Sequence, residues 1–227
     1  MLSIIIPTYN EKNNLSELYA RLNTVAKDAE VIIIDDNSPD GTADFARRMG
    51  IKVLVRPTRQ GLASAVIDGF KLAKGDIVCV MDADLSHPPE VIPEMIELIK
   101  SGKADLVVGS RLVRGGGSRD WTWLKRFMSD LARLPARLLT DVKDVTSGFF
   151  MLKRSVIESV ELNPIGYKIL LEIIAKGKYK KTAEVPIIFA DRLGSKSKMG
   201  MVEMGEYLFQ VGMLYADSFL GKIKKRS

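Results

Sequence analysis

The chain has 227 residues, a formal net charge of +6 and a single cysteine, Cys79. This length suits one large α/β domain that folds without disulfides or a structural metal. One cysteine excludes an internal disulfide and a cysteine-based zinc site, which is consistent with a reducing, cytoplasmic environment. The chain starts on a strand pattern without a basic leader, and its longest late uncharged stretch is Tyr207 to Ala216. We therefore expect neither a signal peptide nor a transmembrane helix.

Apolar runs alternate with amphipathic stretches through the first half of the chain. Continuous apolar strands separated by helices with periodic apolar residues are typical of a parallel sheet that is covered on both faces. In chain order the pattern predicts strand Leu2–Ile6, helix Asn14–Ala26, strand Val31–Ile34, helix Thr42–Met49, strand Lys52–Val55, helix Leu62–Ala73, strand Asp76–Met81, helix Pro89–Lys100 and strand Asp105–Val108.

The regular alternation ends after Arg111. Gly115–Ser118 is too irregular for a strand and too rich in glycine for a helix interior, so we predict a flexible stretch there. The elements predicted beyond it are helix Trp123–Leu139 with a kink at Pro135, strand Gly148–Leu152, helix Ile165–Ala175, strand Thr182–Phe189, a polar loop Asp191–Gly200 and a last helix Met201–Leu220.

The last predicted helix, Met201–Leu220, is amphipathic and is followed by a basic tail, Lys222–Arg226. In one interpretation its apolar face packs on the domain core. In the other it lies in a membrane interface, with the basic tail at the lipid headgroups. The sequence leaves both open.

Positive charge is concentrated between Arg111 and Lys143, where eight Lys and Arg residues stand against three Asp residues. Such a patch suits phosphate groups or an anionic membrane surface. Nucleic acid is not an expected partner, because the segment has no repeated aromatic platform and no recognisable nucleic-acid-binding module.

Three polar loops follow the first, second and fourth predicted strands: Pro7–Glu11, Asp35–Thr42 and Asp82–Asp84. Each loop alone is explained by turn chemistry. The carboxyl ends of parallel strands meet at one sheet edge, however, where ligands bind in open α/β sheets. Clustered carboxylates repel one another, and a bound cation would relieve that repulsion. Asp82 and Asp84 offer hard oxygen ligands to Mg²⁺ or Mn²⁺ bridging to a diphosphate, which predicts a nucleotide-diphosphate substrate.

Two other nucleotide chemistries are excluded by missing motifs. No Gly-x-Gly-x-x-Gly follows the first strand, and no Gly-x-x-x-x-Gly-Lys-Ser/Thr occurs in the chain. NAD-dependent chemistry and P-loop hydrolysis are therefore not expected.

An ordered series of motifs resembles the dolichyl-phosphate mannose synthase group of glycosyltransferase family 2. The resemblance extends from Leu2 to about Lys198, and one departure is Gly194, which stands one residue early in the last motif. The motifs that carry it are Pro7–Glu11, Asp35–Thr42, Gly61–Leu62, Asp82–Pro88, Gly109–Arg111, Asp144–Phe149 and Phe189–Lys198.

The resemblance implies an A-type glycosyltransferase fold of the α/β class, with a Rossmann-like, mostly parallel sheet and helices on both faces. It implies one glycosyltransferase domain, 1–227, in which 1–110 bind the nucleotide sugar, 111–200 bind the acceptor and 201–227 form the amphipathic helix and basic tail. The implied reaction is inverting, metal-dependent transfer of a hexose, first of all mannose from GDP-mannose, to a polyprenyl (dolichyl) phosphate. A UDP-glucose-dependent polyprenyl-phosphate glucosyltransferase is the alternative, and a non-catalytic nucleotide-sugar-binding protein is a more distant one.

Site residues follow from the same resemblance, position by position. The residues expected to bind the donor are Pro7, Tyr9, Glu11, Asp36, Asp82 and Asp84. Those expected at the acceptor phosphate are Arg111, Lys125, Arg126, Ser129, Arg192 and Lys198. Asp82 and Asp84 would hold Mg²⁺ or Mn²⁺, and the implied catalytic set is Asp84, Arg111 and Arg192.

The acceptor phosphate is already ionised at neutral pH, so the reaction needs no strong protein base. His87, the only histidine, is accordingly interpreted as a loop residue beside the metal site. The expected partners are a nucleotide sugar, a polyprenyl phosphate lipid and the membrane surface, with a separate membrane-embedded partner as an alternative. The expected location is the cytoplasmic face of a membrane, with peripheral attachment.

Overall fold

The computed structural model describes residues 1–118, 140–163, 168–190 and 209–214. The strands in these ranges are β1 (Leu2–Thr8), β2 (Glu30–Asp35), β3 (Lys52–Val55), β4 (Ile77–Val80), β5 (Leu106–Ser110), β6 (Gly117–Ser118), β7 (Phe150–Lys153), β8 (Thr182–Pro186) and β9 (Ile188–Phe189). The α-helices are α1 (Lys12–Val25), α2 (Thr42–Arg48), α3 (Leu62–Leu72), α4 (Ile92–Lys100) and α5 (Ile169–Lys176). Short 3₁₀ turns span Pro89–Val91 and Arg154–Val156, and residues 209–214 are helical.

Seven strands form one sheet in the order β3-β2-β1-β4-β7-β5-β8. The β1–β2, β1–β4, β2–β3 and β5–β8 pairs are parallel, whereas β7 runs antiparallel to both β4 and β5. This confirms the expected mostly parallel sheet. The strands β2 and β3 lie on one side of β1, whereas β4 lies on the other side. The connection from β3 to β4 therefore reverses the direction in which strands are added to the sheet. The loops after β1, β2 and β4 therefore surround a topological switch point, where α/β sheets bind ligands.

Alternate residues of the central strand β1 enter two separate hydrophobic clusters. Ile5 belongs to a cluster on one face with residues of α3 and α5, whereas Ile4 and Ile6 belong to a cluster with residues of α1 and α4 on the other face. This period of two places helices on both faces of the sheet, as expected. On the first face α3 lies so close to β1 that a Cβ at Gly69 would overlap Ile5.

The region around Gly115–Ser118 differs from the sequence-based expectation. Gly117 and Ser118 form β6, which pairs in parallel with β9, so the prediction of no strand there is wrong. Ile187 closes this small sheet onto the large one, because its carbonyl accepts a hydrogen bond from Gly117 N and its N–H donates to Ser110 O, both at 2.9 Å. The strand that pairs with β6 is β9, which lies about seventy residues later in the sequence. The composition of Gly115–Ser118 alone therefore could not predict the pairing.

Several boundaries also shift. The predicted strand Thr182–Phe189 is interrupted at Ile187, and the predicted helix Pro89–Lys100 begins with a 3₁₀ turn. The predicted helix Trp123–Leu139 and the loop 191–200 lie outside the described residues, as does the last predicted helix apart from 209–214. Among the helices that the structure describes, none is both long and apolar enough to cross a bilayer.

Candidate functional site

The loops after β1 and β2 are tied to each other at the carboxyl edge of the sheet. Asn10 N donates to Ser38 Oγ at 2.9 Å, and Glu11 N donates to Thr42 Oγ1 at 3.0 Å. Asn10 and Asn37 have left-handed backbone conformations, with φ of 59° and 58°, which Asn tolerates better than most residues. The turn chemistry in these motifs therefore shapes one composite loop rather than two separate ones.

Asp35 is the buried anchor of this composite loop. Its carboxylate accepts hydrogen bonds from Thr8 Oγ1 at 2.8 Å, from Ser38 Oγ at 2.6 Å and from Ser38 N at 2.8 Å. Thr8 is the last residue of β1, and Ser38 lies in the turn after β2. Asp35 is fully buried, so its role is to hold the site loops in place.

Asp36, expected to bind the donor, forms a buried ion pair with Arg56. Its Oδ2 also accepts from Gly61 N at 3.0 Å. Arg56 in turn donates to Gly61 O at 2.7 Å and to Ser64 Oγ at 2.6 Å. The pair thus connects the end of β2 to the start of α3, and sequence reasoning missed Arg56 because no motif includes it.

Tyr9, another expected donor-binding residue, is partly buried and carries a cation on its ring. The Arg59 guanidinium carbon lies 4.2 Å from the centre of the Tyr9 ring, a cation–π distance. This contact places an aromatic ring and a cation beside the composite loop, and groups of both kinds can stack on an aromatic base. Arg59 was not assigned from the sequence, since an exposed loop arginine carries no distinguishing pattern.

The Asp82–Asp84 pair follows the end of β4. Ala83 between them is buried, while the carboxylates on either side are partly exposed. Asp84 Oδ1 accepts from Ser86 N at 3.1 Å and from Ser86 Oγ at 2.5 Å. Leu85 adopts φ of 63°, an uncommon conformation for a branched residue, which occurs where a tight functional turn requires it.

His87 lies beneath the Asp82 turn. It is buried, its Nδ1 accepts from Asp82 N at 3.1 Å, and its ring stacks on Phe149 with centres 5.3 Å apart. Burial lowers the pKa of His87, although Asp82 and Asp84 oppose that shift. A neutral imidazole whose Nδ1 accepts a hydrogen bond holds the turn in place, and this geometry does not make His87 a general base.

Gly148 lies beside the Asp82 carboxylate. A Cβ on Gly148 would lie 3.3 Å from Asp82 Oδ2 and 3.2 Å from His87 Cε1, so any other residue there would crowd the carboxylate. Within the described ranges, no three His, Cys, Asp or Glu side chains cluster closely enough to hold a metal. Asp82 and Asp84 thus supply a partial, oxygen-only set, which is the arrangement of Mg²⁺ sites completed by substrate phosphates and water.

Arg111, expected at the acceptor phosphate, is held by a fully buried carboxylate. Its Nε and Nη2 donate to the two oxygens of Asp144 at 2.8 Å each, and Nη2 also reaches Thr146 Oγ1 at 3.2 Å. Its guanidinium carbon lies 5.4 Å from the Phe189 ring centre. Asp144, a residue of the sequence motif, therefore fixes the orientation of Arg111. The motif alone does not show this contact.

The geometry of the site agrees with the protein family that the sequence matches. Residues 3–161 match the family described as Glycosyl transferase family 2. The chain belongs to glycosyltransferase family 2. The family named in the resemblance is thereby confirmed.

Curated relatives of this glycosyltransferase family 2 chain carry related names. A dolichol-phosphate mannosyltransferase of Pyrococcus furiosus is 47% identical over 91% of the chain, and the chain spans 61% of that protein's length. A protein of the same name from Saccharomyces cerevisiae is 36% identical over 96% of the chain and 88% of its own length. A polyprenol monophosphomannose synthase of Mycolicibacterium smegmatis is 34% identical over 92% of the chain and 84% of its own length.

Solved structures agree on the fold. Glucosyl-3-phosphoglycerate synthase from Mycobacterium tuberculosis, in complex with Mn²⁺, UDP and phosphoglyceric acid, superposes with a TM-score of 0.70 at 20% identity and covers 96% of this chain and 78% of that one. The complex with Mn²⁺, UDP-glucose and phosphoglyceric acid has a TM-score of 0.67 at 19% identity, with 94% and 78% covered. The A-type fold expected for a family 2 member is confirmed.

The second part of the predicted acceptor site lies outside the described residues. It comprises Lys125, Arg126, Ser129, Arg192 and Lys198. The roles of these five positions, and the functional division of the chain at 110 and 200, stay predictions.

Proposed function

We propose that this family 2 member transfers mannose from GDP-mannose to the phosphate of a polyprenol such as dolichol, with inversion at the anomeric carbon. The observation that carries the proposal is that the Asp82–Asp84 pair and the Arg111–Asp144 pair lie on either side of His87. Asp82 N donates to His87 Nδ1, and the side chains of His87 and Arg111 both contact the Phe189 ring. A metal-binding carboxylate pair beside a fixed arginine suits two anionic reactants. The three relatives named above act, by their names, on dolichol or polyprenol phosphates.

The donor would lie across the topological switch point, in the half formed by 1–110. The Tyr9 ring with Arg59 would stack on the base, Pro7 would border it, and Glu11 and Asp36 would line the nucleoside pocket. Asp82 and Asp84 would hold Mg²⁺ or Mn²⁺ on the diphosphate. When bound, that cation stabilises the negative charge of the departing nucleoside diphosphate.

The acceptor would lie against Arg111, in the half formed by 111–200. A phosphate monoester has its second pKa near about 6, so it is largely dianionic at neutral pH. Its oxygen forms a bond to the anomeric carbon while the bond from that carbon to GDP breaks. No proton has to leave the nucleophile, which agrees with a buried, neutral His87. A single displacement of this kind converts an α-linked donor into a β-linked product.

The helical residues 209–214 support a membrane-facing surface for the lipid acceptor. Val211 and Leu214 are buried in the domain core, whereas the side chains of Phe209 and Met213 are 61% and 48% exposed. One helix face therefore packs on the domain, and an apolar pair remains on the other. We infer peripheral attachment through this pair to the cytoplasmic face of a membrane, with a separate membrane-embedded partner as the alternative.

A sugar-transfer assay tests the proposed reaction. Radiolabelled GDP-mannose and UDP-glucose are each offered with dolichyl phosphate or with dolichol, which lacks the phosphate. We expect label in the lipid only with GDP-mannose and dolichyl phosphate. Transfer from UDP-glucose alone would select the glucosyltransferase alternative, and donor binding without any transfer would leave only a nucleotide-sugar-binding protein.

A further inference from the structure

Glu184 is a partly buried acid in β8 that belongs to none of the sequence motifs. Val185, the next residue, belongs to the hydrophobic cluster that includes residues of α1 and α4. Because side chains alternate along a strand, Glu184 faces the other side of the sheet, where Val142 and Val145 are buried. The Glu184 side chain thus lies on the same side of the sheet as the loop that precedes β7.

The Glu184 carboxylate binds two consecutive backbone N–H groups of that loop. Its Oε2 accepts from Lys143 N at 2.9 Å, and its Oε1 accepts from Asp144 N at 3.1 Å. Hydrogen bonds from backbone N–H groups to a carboxylate are charge-assisted and stronger than those between neutral groups. Since one planar carboxylate holds both groups, it fixes the position and the orientation of the backbone at Asp144.

Asp144 transmits this position to Arg111. Its carboxylate is fully buried and accepts from Arg111 Nε and Nη2 at 2.8 Å each. Its Oδ2 also accepts from Arg111 N at 3.0 Å. These bonds leave the guanidinium little freedom relative to the Asp144 backbone. A shift of that backbone would therefore move the guanidinium as well.

The chain that follows Glu184 contacts the Arg111 region a second time. Ile187 N donates to Ser110 O at 2.9 Å, directly before Arg111. The Arg111 guanidinium carbon lies 5.4 Å from the centre of the Phe189 ring. The segment from Glu184 to Phe189 thus holds Arg111 both through the Asp144 loop and by direct contact.

We propose that Glu184 is a positioning residue for the acceptor phosphate, and that it acts through Asp144 and Arg111. This inference rests on the proposed function, in which Arg111 binds that phosphate. The Glu184 carboxylate is committed to the loop backbone, so its effect on the substrate passes through the other two residues. Contacts between a guanidinium and a phosphate depend on orientation, and a misplacement of about 1 Å can cost about a hundredfold in rate.

The kinetic test compares Glu184→Ala and Glu184→Gln with a matched control, Glu158→Gln. Glu158 is exposed and follows β7, whose carboxyl end lies at the edge of the sheet opposite the site. We expect Glu184→Ala to raise the KM for dolichyl phosphate about tenfold or more, with the KM for GDP-mannose within about twofold of the wild type. Glu184→Gln keeps one acceptor oxygen and should be intermediate, whereas Glu158→Gln should change neither KM.

The Nε–H group of Arg111 supplies a readout that does not depend on activity. In the wild type it donates to a buried carboxylate, so its NMR signal should exchange slowly with water. Arg111→Lys identifies the signal by its loss. We expect the signal to exchange at least about tenfold faster in Glu184→Ala and to stay unchanged in Glu158→Gln. Circular dichroism checks folding, and Glu184→Gln carries the same comparison if Glu184→Ala does not fold.

Binding of geranyl phosphate without donor, measured by calorimetry, separates this inference from the proposed reaction. If the wild type transfers no sugar, a faster-exchanging Arg111 signal with weaker geranyl phosphate binding in Glu184→Ala still supports the positioning role. The role would be contradicted by an unchanged Arg111 signal or by geranyl phosphate binding equal to that of the wild type. Equal increases in the KM values for donor and acceptor would contradict it as well.

Discussion

Asp82 and Gly148 meet in space although 65 positions of the sequence separate them, and a side chain at Gly148 would crowd the Asp82 carboxylate. A motif search identifies both residues but not their contact. The contact forms because β7, which begins two residues after Gly148, pairs beside β4, which ends two residues before Asp82. The close approach of Gly148 to the Asp82 carboxylate is therefore a property of strand pairing.

Gly148→Ala is expected to weaken the metal site. The added Cβ would force Asp82 or His87 to move by a few tenths of an ångström, and small misplacements at a reacting centre are costly. We expect the Kd for Mn²⁺ to rise about tenfold or more, with a similar loss of transfer at limiting metal. Titration of Mn²⁺, followed by electron paramagnetic resonance, measures the affinity.

Gly212→Ala serves as the control for this substitution, because a Cβ at Gly212 meets nothing within 4 Å. It should bind Mn²⁺ like the wild type. An unchanged Mn²⁺ affinity in Gly148→Ala would contradict the placement of the cation against Asp82.

The motifs identified the carboxylates and Arg111, but they did not identify the residues outside the motifs that contact these side chains and hold them in place. Asp36 lies where the sequence placed it, yet its link to Arg56 depends on a loop outside every motif. Arg59 was missed for the same reason, since a single basic residue has no pattern. Sequence reasoning thus found the residues with distinctive chemistry and missed those whose role depends on contacts distant in sequence.

At the scale of elements, the alternating pattern did not predict where β7 lies in the sheet. Its residues predict a strand, but its insertion between β4 and β5 in the antiparallel direction is set by tertiary pairing. Asp105 fixes this arrangement at the opposite edge from the site. Its carboxylate accepts from Lys153 Nζ at 2.7 Å, from Lys180 N at 2.9 Å and from Lys181 N at 3.1 Å.

Asp105→Asn is expected to destabilise the fold by about 1–3 kcal/mol at neutral pH, because it weakens bonds that join β5, β7 and β8. Burial alone would raise the pKa of Asp105, but the hydrogen bonds from Lys153, Lys180 and Lys181 together lower it. The stabilisation is therefore present above the unfolded-state pKa of about 3.9 and is lost as the pH falls through the lower folded-state pKa.

Urea unfolding at a series of pH values measures this difference between Asp105→Asn and the wild type. The gap in unfolding free energy should narrow below a pH of about 4. Asp76→Asn is the control, since Asp76 is exposed and pairs with the N-terminal ammonium. A gap that stays constant down to pH 2.5 would show that the Asp105 carboxylate does not hold the strands.

The helical residues 209–214 bear on an ambiguity that the sequence left open. Val211 and Leu214 pack on the core, as one interpretation expected. Phe209 and Met213, which are exposed, form a second apolar surface on the other side of the helix. A hydrophobic stripe reports burial but not whether protein or lipid covers it. Only the position of the helix on the domain distinguishes the two faces.

Replacing both Phe209 and Met213 with Ser should reduce vesicle binding by about tenfold or more. Folding stability should not fall, because these exposed side chains bury their apolar surface only when the protein binds a membrane. Flotation with vesicles containing anionic lipid measures the binding. Replacing both with Leu is the matched control and should bind like the wild type. Equal flotation of the Ser and Leu variants would point instead to a separate membrane-embedded partner.

At the scale of the whole molecule, the strand order explains why acidic and basic motifs scattered along the chain serve one site. β1 lies at the topological switch point, and β4, β7 and β5 are successive neighbours in the sheet. Asp82 and Arg111, which follow β4 and β5, therefore emerge two strands apart at one edge, with His87 and Phe149 between them. The sequence predicted this class of fold because its strands and helices alternate, and because its acidic loops follow strands.

The central claim is that transfer depends on a cation held by Asp82 and Asp84. The most direct measurement is mannose transfer from GDP-mannose to dolichyl phosphate by the wild type, by Asp82→Ala and by Asp84→Ala, with Mg²⁺ or Mn²⁺ and with excess EDTA. We predict that both variants are folded and inactive, and that EDTA abolishes wild-type transfer until the metal is restored. Full activity in either variant, or undiminished wild-type transfer in EDTA, would contradict the claim.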